Sequence, residues 1–432
     1  MSLRRTLYSL LLYLIFPLVI FRLFWRSRSN PAYRKRIGER VGFVQRDSDK
    51  PVIWVHAVSV GETIAAQPLI EGLISQYSNH RILVTTTTPT GSDRVKALFG
   101  DRVAHVYFPY DLPDVVARFI NRIKPQILIV IETEIWANLF SKCKKENIPV
   151  ALVNARLSEG STQKYLKIKS LVSETLANIS LIAVRSDVDA GRFKQLGAKD
   201  SQVFIAGNIK FDFSINENQV EKGKQRRNHW GERALVWVVA STHAGEDKKI
   251  LKIYQSLLGQ FPHLILVLVP RHPERFDDVF LLCEALNENG IKTLRHSNVK
   301  EYGTETADAN IILGDSMGEM QSWFAMADVV FMGGSLVETG GHNPIEPIAQ
   351  GVPVVSGPHM FNFDDVSPQL VEESLLFLCE TEDAVKEQVA RLLVQASNEY
   401  MTVFGTTAKV FMQQHQGVAA RLLEKISITL LS

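Results

Sequence analysis

The sequence predicts an α/β protein made of two doubly wound halves behind an apolar N-terminal helix. Three observations predict it. Short apolar runs alternate with amphipathic stretches over residues 52–206, and again over 235–355, which is the rhythm of parallel βαβ units. A polar, charged segment from Asn216 to Trp230 separates the two series. Thr6–Ile20 carries no charge at all. At 432 residues and 46% hydrophobic, the chain is long enough for two cores. The predicted division is 1–30 as a membrane anchor, 31–215 as a first domain and 216–432 as a second.

The N-terminal run continues through Phe21, Leu23, Phe24 and Trp25 past a single Arg22. A full span needs about 20 apolar residues, so the stretch is compatible with a span and with a helix lying in one leaflet. Pro17 kinks it. A cleaved signal peptide is the rival, but the run is not succeeded by a small-x-small cleavage site. Instead comes a basic collar of Arg26, Arg28, Arg34, Lys35, Arg36 and Arg40, suited to anionic lipid and to a cytoplasmic location of the first domain. Net charge is +2, which argues against a nucleic-acid partner. Cys143, Cys283 and Cys379 are too few and too far apart for a disulfide framework or a zinc site, and read as buried thiols.

The first series of strands is read at Val52–His56, Ile82–Thr86, Val103–Phe108, Ile127–Ile131, Val150–Asn154, Leu181–Val184 and Val203–Ala206, with helices over Gly61–Ser75, Pro113–Lys124 and Ile135–Glu146. The second has Leu235–Ala240, Leu264–Val269, Ile291–Leu294, Ile311–Leu313, Val329–Met332 and Val352–Val355. The 216–230 segment reads as a connection plus a surface helix. Ligands of such sheets lie beyond the carboxyl ends of the strands, and with two halves that means a central cleft.

Chemistry-bearing residues gather at those strand ends. Glu62, in SVGE after the first strand, is a candidate general base; the plainer alternative is a first-turn charge on a helix. His56 reads more simply as a core histidine. Glu132 and Glu134 come directly after the fourth strand, and Lys210 sits in a Gly-Asn turn after the seventh. In the second half, the turn Ala240–Glu246 offers backbone N–H groups to a phosphate, and Arg271 offers a guanidinium. Gly314–Glu319 is another glycine-bearing loop. The segment Gly333–Phe363 reads as a loop and helix holding a phosphorylated ligand, with Asn343 as N-cap, Pro344 at the first helical position and Glu346 three beyond the cap. Glu346 caps the helix, and beyond that its carboxylate suits ribose hydroxyls. No metal constellation, nucleophile elbow or Walker A lysine is read, so no cofactor or metal is expected.

The motifs HAVSVGE, ETEIWANL, VNARLS, GNIKFD, STHAGE, PRHPERF, GDSMGEM and GGSLVETGGHNPIEP…GPHMFNF occur in that order across nearly the whole chain. Together they resemble the Kdo (3-deoxy-D-manno-octulosonate) transferase family of lipopolysaccharide synthesis. The resemblance implies a GT-B fold, two Rossmann-like domains facing a central cleft. It also implies metal-free, inverting transfer of Kdo from CMP-Kdo to the tetraacyldisaccharide bisphosphate precursor of lipid A at the inner membrane. It assigns the base role to Glu62 and supporting transition-state roles to Glu132 and Lys210. It assigns CMP binding to Pro270, Arg271, Met317, Gly318, Glu319, Asn343, Pro344, Ile345 and Glu346. Ala137 departs from the proline that many members carry there, which puts the start of its helix in question. The rival readings are another nucleotide-sugar enzyme on the same scaffold and a non-catalytic, membrane-tethered binder of anionic glycolipid.

Overall fold

The structure is a computed structural model and describes the chain except residues 1, 29, 232–233, 301, 304, 307, 397 and 429–432. Two compact units form: Met1–Asp212 with His415–Ser432, and Phe213–Gln414. The predicted 216–432 domain therefore loses its C-terminal segment to the first unit. Helix Val418–Ile426 buries Val418, Ala419, Leu422 and Ile426 in the first unit's core. Asp212 holds the entry to that helix by accepting from the N–H groups of Gly417 (2.7 Å) and Ala419.

The first unit carries seven parallel strands: β1 (Val52–His56), β2 (Arg81–Thr86), β3 (Ala104–Tyr107), β4 (Pro125–Ile131), β5 (Val150–Ala155), β6 (Leu181–Val184) and β7 (Val203–Ile205). Their order is β3-β2-β1-β4-β5-β6-β7. Alternate residues serve opposite faces. Trp54 and Leu128 join one core, Ile53 and Ile129 the other. Burial on both faces is why these strands read as unbroken apolar runs. The second unit repeats the plan with β8 (Leu235–Thr242), β9 (Leu264–Pro270), β10 (Thr293–Arg295), β11 (Ile311–Leu313), β12 (Val329–Met332), β13 (Val354–Ser356) and β14 (Leu376–Leu378), ordered β10-β11-β9-β8-β12-β13-β14. In each sheet the direction of strand addition reverses beside the first strand, between β1 and β4 and between β8 and β12. Residues that leave those strand ends therefore meet at a switch point.

The predicted helix Gly61–Ser75 is two helices, Val60–Ala65 and Gln67–Gln76, because Pro68 favours a new start in its own first turn. The 216–230 segment does form a helix, Glu217–Asn228, but it is not merely a surface helix. Arg226 is buried, donates to Ser322 Oγ (2.8 Å) and lies over the Trp323 ring. β14 was not among the predicted strands.

The N-terminal helix, Leu3–Arg26, is long and apolar enough to cross a membrane and is almost entirely unburied. Its faces differ. Leu3, Leu7, Leu10, Leu14 and Leu18 are exposed. A polar stripe on the other side binds the first unit. Ser2 Oγ donates to Glu174 (2.6 Å), Tyr8 to Asp111 (2.9 Å), Ser9 to Asn138 (3.1 Å) and Tyr13 to Asp114 (2.5 Å), while Arg5 donates to Ser141. Phe16 packs edge-on against Tyr110.

Asp111 also resolves the question raised by Ala137. Helix Ala137–Lys145 has Trp136 at its cap position, with no capping side chain of its own. Asp111 caps it from a distance, accepting from Asn138 N (3.1 Å) and Leu139 N (2.7 Å). Burial pushes its carboxyl up to about 7, against these donors, which pull it down. Asp111→Ala should cost about 2 kcal/mol, since two helix N–H groups and Tyr8 lose their acceptor. Thermal melts and limited proteolysis of the N-terminal helix check this; an unchanged melt with equal protection contradicts it.

Candidate active site

In the first unit, β1 ends at His56 and the chain turns into helix Val60–Ala65. Ser59 caps that helix, accepting from Glu62 N (3.3 Å). The Glu62 carboxylate folds back to accept from Val58 N (2.6 Å) and Ser59 Oγ (3.1 Å). Burial pushes its carboxyl up to about 7; the Val58 N–H opposes this, and the charges of Glu132 and Glu134 reinforce it. Glu62 thus has the capping geometry of the plainer alternative together with a carboxyl raised toward neutrality. His56 is a core histidine: it is fully buried, stacked on Phe108, bonded through Nδ1 to Thr85, and held down to about 3 by desolvation.

Across the switch point, Glu132 leaves β4 with φ +61°, a left-handed conformation that a glutamate adopts only where its surroundings enforce it. Arg185, buried at the end of β6, donates to Glu132 Oε1 (2.6 Å) and to the carbonyl of Asn154 (3.1 Å). Asn154 is itself buried and left-handed at φ +55°, and its Oδ1 accepts from Ile209 N (3.1 Å). Ile209 opens the short turn that carries Lys210, whose N–H is capped by Asn208 (3.1 Å). One chain of contacts therefore joins Glu132, Arg185, Asn154 and the Lys210 turn. Glu134 is also pushed up to about 7, first by burial and then by Glu132.

In the second unit, Arg271 comes after Pro270 at the end of β9, anchored by its N–H to Thr242 O (3.1 Å). Met317 is exposed and Gly318 is left-handed at φ +82°. The Glu319 side chain is already engaged. It accepts from Arg226 (3.0 Å), His296 (2.8 Å), Ser316 (2.5 Å) and Lys222, which hold its carboxyl well below the usual range.

The glycine loop after β12 departs from expectation. Three consecutive N–H groups, of Gly334 (2.7 Å), Ser335 (3.0 Å) and Leu336 (2.9 Å), cradle a carboxylate that belongs to the protein itself, that of Glu246. The N–H of His243 joins them (2.8 Å). Those four N–H groups of the Ala240–Glu246 turn and the loop from Gly333 are thus satisfied within the protein. Gly333 is required here, since a Cβ would lie 2.6 Å from Ser241 O. The helix beyond is only five residues, Ile345–Ala349, with Pro344 rather than Asn343 at the cap position. Asn343 Oδ1 accepts from Ile345 N (3.1 Å) and its Nδ2 donates to Glu346 (3.0 Å). Glu346 does not reach back to the backbone as a capping box requires, and burial raises its carboxyl.

A family model described as 3-deoxy-D-manno-octulosonic-acid transferase matches residues 35–213. A 3-deoxy-D-manno-octulosonic acid transferase of Haemophilus influenzae is 41% identical over 423 residues, 97% of each chain. The chain belongs to the Kdo transferase family. A second such transferase, from Bordetella pertussis, is 31% identical over 87% of this chain and 86% of its own. Among solved structures, the glycotransferase of kitacinnamycin superposes with a TM-score of 0.53 at 13% identity, covering 89% of this chain and all of that one. A UDP-GlcNAc 2-epimerase of Neisseria meningitidis gives 0.51 at 12% identity, covering 84% and 98%. These likenesses speak to fold alone, and the Kdo transferase has the GT-B architecture of two Rossmann-like domains.

Of the predicted residues, the structure gathers Glu62 and Glu132 at one switch point of the Kdo transferase, with Lys210 linked to Glu132. Arg271, Asn343 and Glu346 stand at strand and loop ends of the second unit. Sequence reasoning passed over Arg185, Asn154 as a linker, and Glu246 as an internal anion. Arg185 carried a signal: an arginine directly after a fully apolar strand.

Proposed function

We propose that this Kdo transferase moves Kdo from CMP-Kdo to the tetraacylated disaccharide bisphosphate precursor of lipid A, adding one or more residues with inversion at the anomeric carbon. The observation that carries the mechanism is Glu62, a carboxylate at a switch point whose proton affinity lies near neutrality. A base so tuned takes the proton of an acceptor hydroxyl as the new glycosidic bond forms and the bond to the CMP oxygen breaks. A single displacement inverts the centre. Arg271 meets the negative charge on the departing phosphate, so the step needs no divalent ion. The cation of Lys210 and the Glu132–Arg185 pair stabilise the transition state. Glu346, turned toward Asn343, takes the ribose hydroxyls.

The N-terminal helix holds the enzyme on the cytoplasmic face of the inner membrane. Its polar stripe is occupied by the first unit, which favours a helix lying in one leaflet with Leu3, Leu7, Leu10, Leu14 and Leu18 toward lipid.

Incubation with CMP-Kdo and the precursor, with mass measurement of the product, should give a species heavier by one or more Kdo residues; unchanged precursor overturns the reading. A UDP-sugar enzyme on this scaffold is distinguished by competition, since CMP and not UDP should protect. Arg271→Ala should weaken CMP binding about tenfold or more, with a smaller effect on turnover at saturation. Equal CMP affinity in the two proteins contradicts the role of Arg271.

A further inference from the structure

Beside the loop that Glu246 organises, His243 and His342 face each other through their ring nitrogens. The two Nε2 atoms are 2.9 Å apart, and the rings stack at 10° with centroids 5.1 Å apart. That distance requires one nitrogen to carry a hydrogen and the other a lone pair. Gly334 makes the room: it is left-handed at φ +71°, and a Cβ there would press within 3.1 Å of His342 and 3.3 Å of His243. His272 meets His243 edge-on with ring centroids 5.3 Å apart. The charges that act on His243 are those of Glu246, His272, Arg275 and Arg271; those that act on His342 are Arg271, His243 and His272. Apart from Glu246, whose carboxylate is spent on four N–H groups, these neighbours are cations or can become cations. Burial and Arg271 hold His342 down to about 3, and burial lowers His243 as well, so the pair is neutral near pH 7.

An anion at Arg271 changes that balance, because its charge offsets the arginine's share of the suppression and itself favours a proton on the neighbouring pair, against the burial that remains. We propose that the His243–His342 pair takes up a proton from solvent when the nucleotide phosphate arrives at Arg271, so that donor binding is coupled to protonation of the pair. This rests on assigning the second unit to cytidylate. The coupling gives the site a cation that exists only when the phosphate is present. The free enzyme is then spared a permanent cluster of half-buried positive charge. The bound-state pKa lies above the free-state value, so the added affinity is present at lower pH and lost as pH rises through the bound-state pKa.

The test is calorimetry of CMP binding to the full-length, detergent-solubilised enzyme near pH 7, in two buffers of different ionisation enthalpy. CMP is mostly dianionic there, its second phosphate pKa being about 6, so net uptake comes from the protein. The apparent heats should differ between buffers in the direction of proton uptake, and cytidine, which lacks the phosphate, should show no difference. His342→Gln and, independently, His243→Gln should abolish the buffer dependence while still binding CMP. Between about pH 6.5 and about pH 8.5, wild-type affinity should fall about tenfold more than that of either variant. Equal wild-type heats in the two buffers, with CMP bound, overturn the coupling and leave the donor assignment intact. Failure to bind CMP at all overturns both.

Discussion

Glu62→Gln should reduce Kdo transfer by about 10²–10⁴-fold while CMP affinity stays within about twofold. Glutamine keeps the shape and an oxygen for the Val58 N–H, so the helix start survives and only the proton acceptor is lost. The wild-type pH profile carries the second part of the prediction. Burial, with help from Glu132 and Glu134, pushes the carboxyl up to about 7, and the base must be ionised to act. kcat/KM should therefore climb with pH up to about 7 and level off above it, and the Gln variant should lack that limb. Stability runs the other way. A carboxyl raised on folding contributes stability below its unfolded pKa that is lost as pH rises through its folded value. Discounted for partial exposure, the Gln variant should be more stable by about 1 kcal/mol at alkaline pH and not at about pH 4. Near-normal turnover by Glu62→Gln would remove it as the base.

Glu246→Ala should be the most damaging change to the second unit. The side chain is fully buried, and its two oxygens satisfy the N–H groups of His243, Gly334, Ser335 and Leu336. Alanine strands all four. At about 1–3 kcal/mol for each unpaired buried group, with relief from water entry, the net loss should be about 4 kcal/mol. That corresponds to a fall of about 10 °C in the melting of that unit. CMP binding should fall with it, because this loop leads directly to His342, Asn343 and Glu346. Glu246→Gln separates shape from charge: it keeps the volume but turns an amide NH₂ toward donors, so it should recover only part of the loss. A melt for Glu246→Ala within about 2 °C of wild type would show that the loop holds itself.

The two positions show why some of the site was readable and some was not. The position of Glu62 was readable because a strand, a short turn and a helix start are local patterns, and an acid at such a junction is visible within ten residues. Glu246 lay in an equally visible turn, yet no role was read for its side chain. Nothing local says that the loop 88 residues downstream in the chain bends back to donate to it. The same holds for Asp111 as the cap of helix Ala137–Lys145, for Arg185 between Glu132 and Asn154, and for the C-terminal helix in the first core.

The chain by itself settled what repeats or stays local: two series of apolar strands buried on both faces, helices between them, an apolar N-terminal helix, and acids and cations at strand ends. Those features come from side-chain periodicity and backbone preference, which act over a few residues. Only the folded arrangement decided which groups are spent on one another. It placed Glu246 rather than a ligand in the glycine loop, tied Glu319 to Arg226 and His296, set His243 against His342, and gave the last helix to the first unit. Such pairings depend on distance and burial between segments far apart in sequence, and desolvation, which sets the proton affinity of Glu62, exists only once the chain has folded around it.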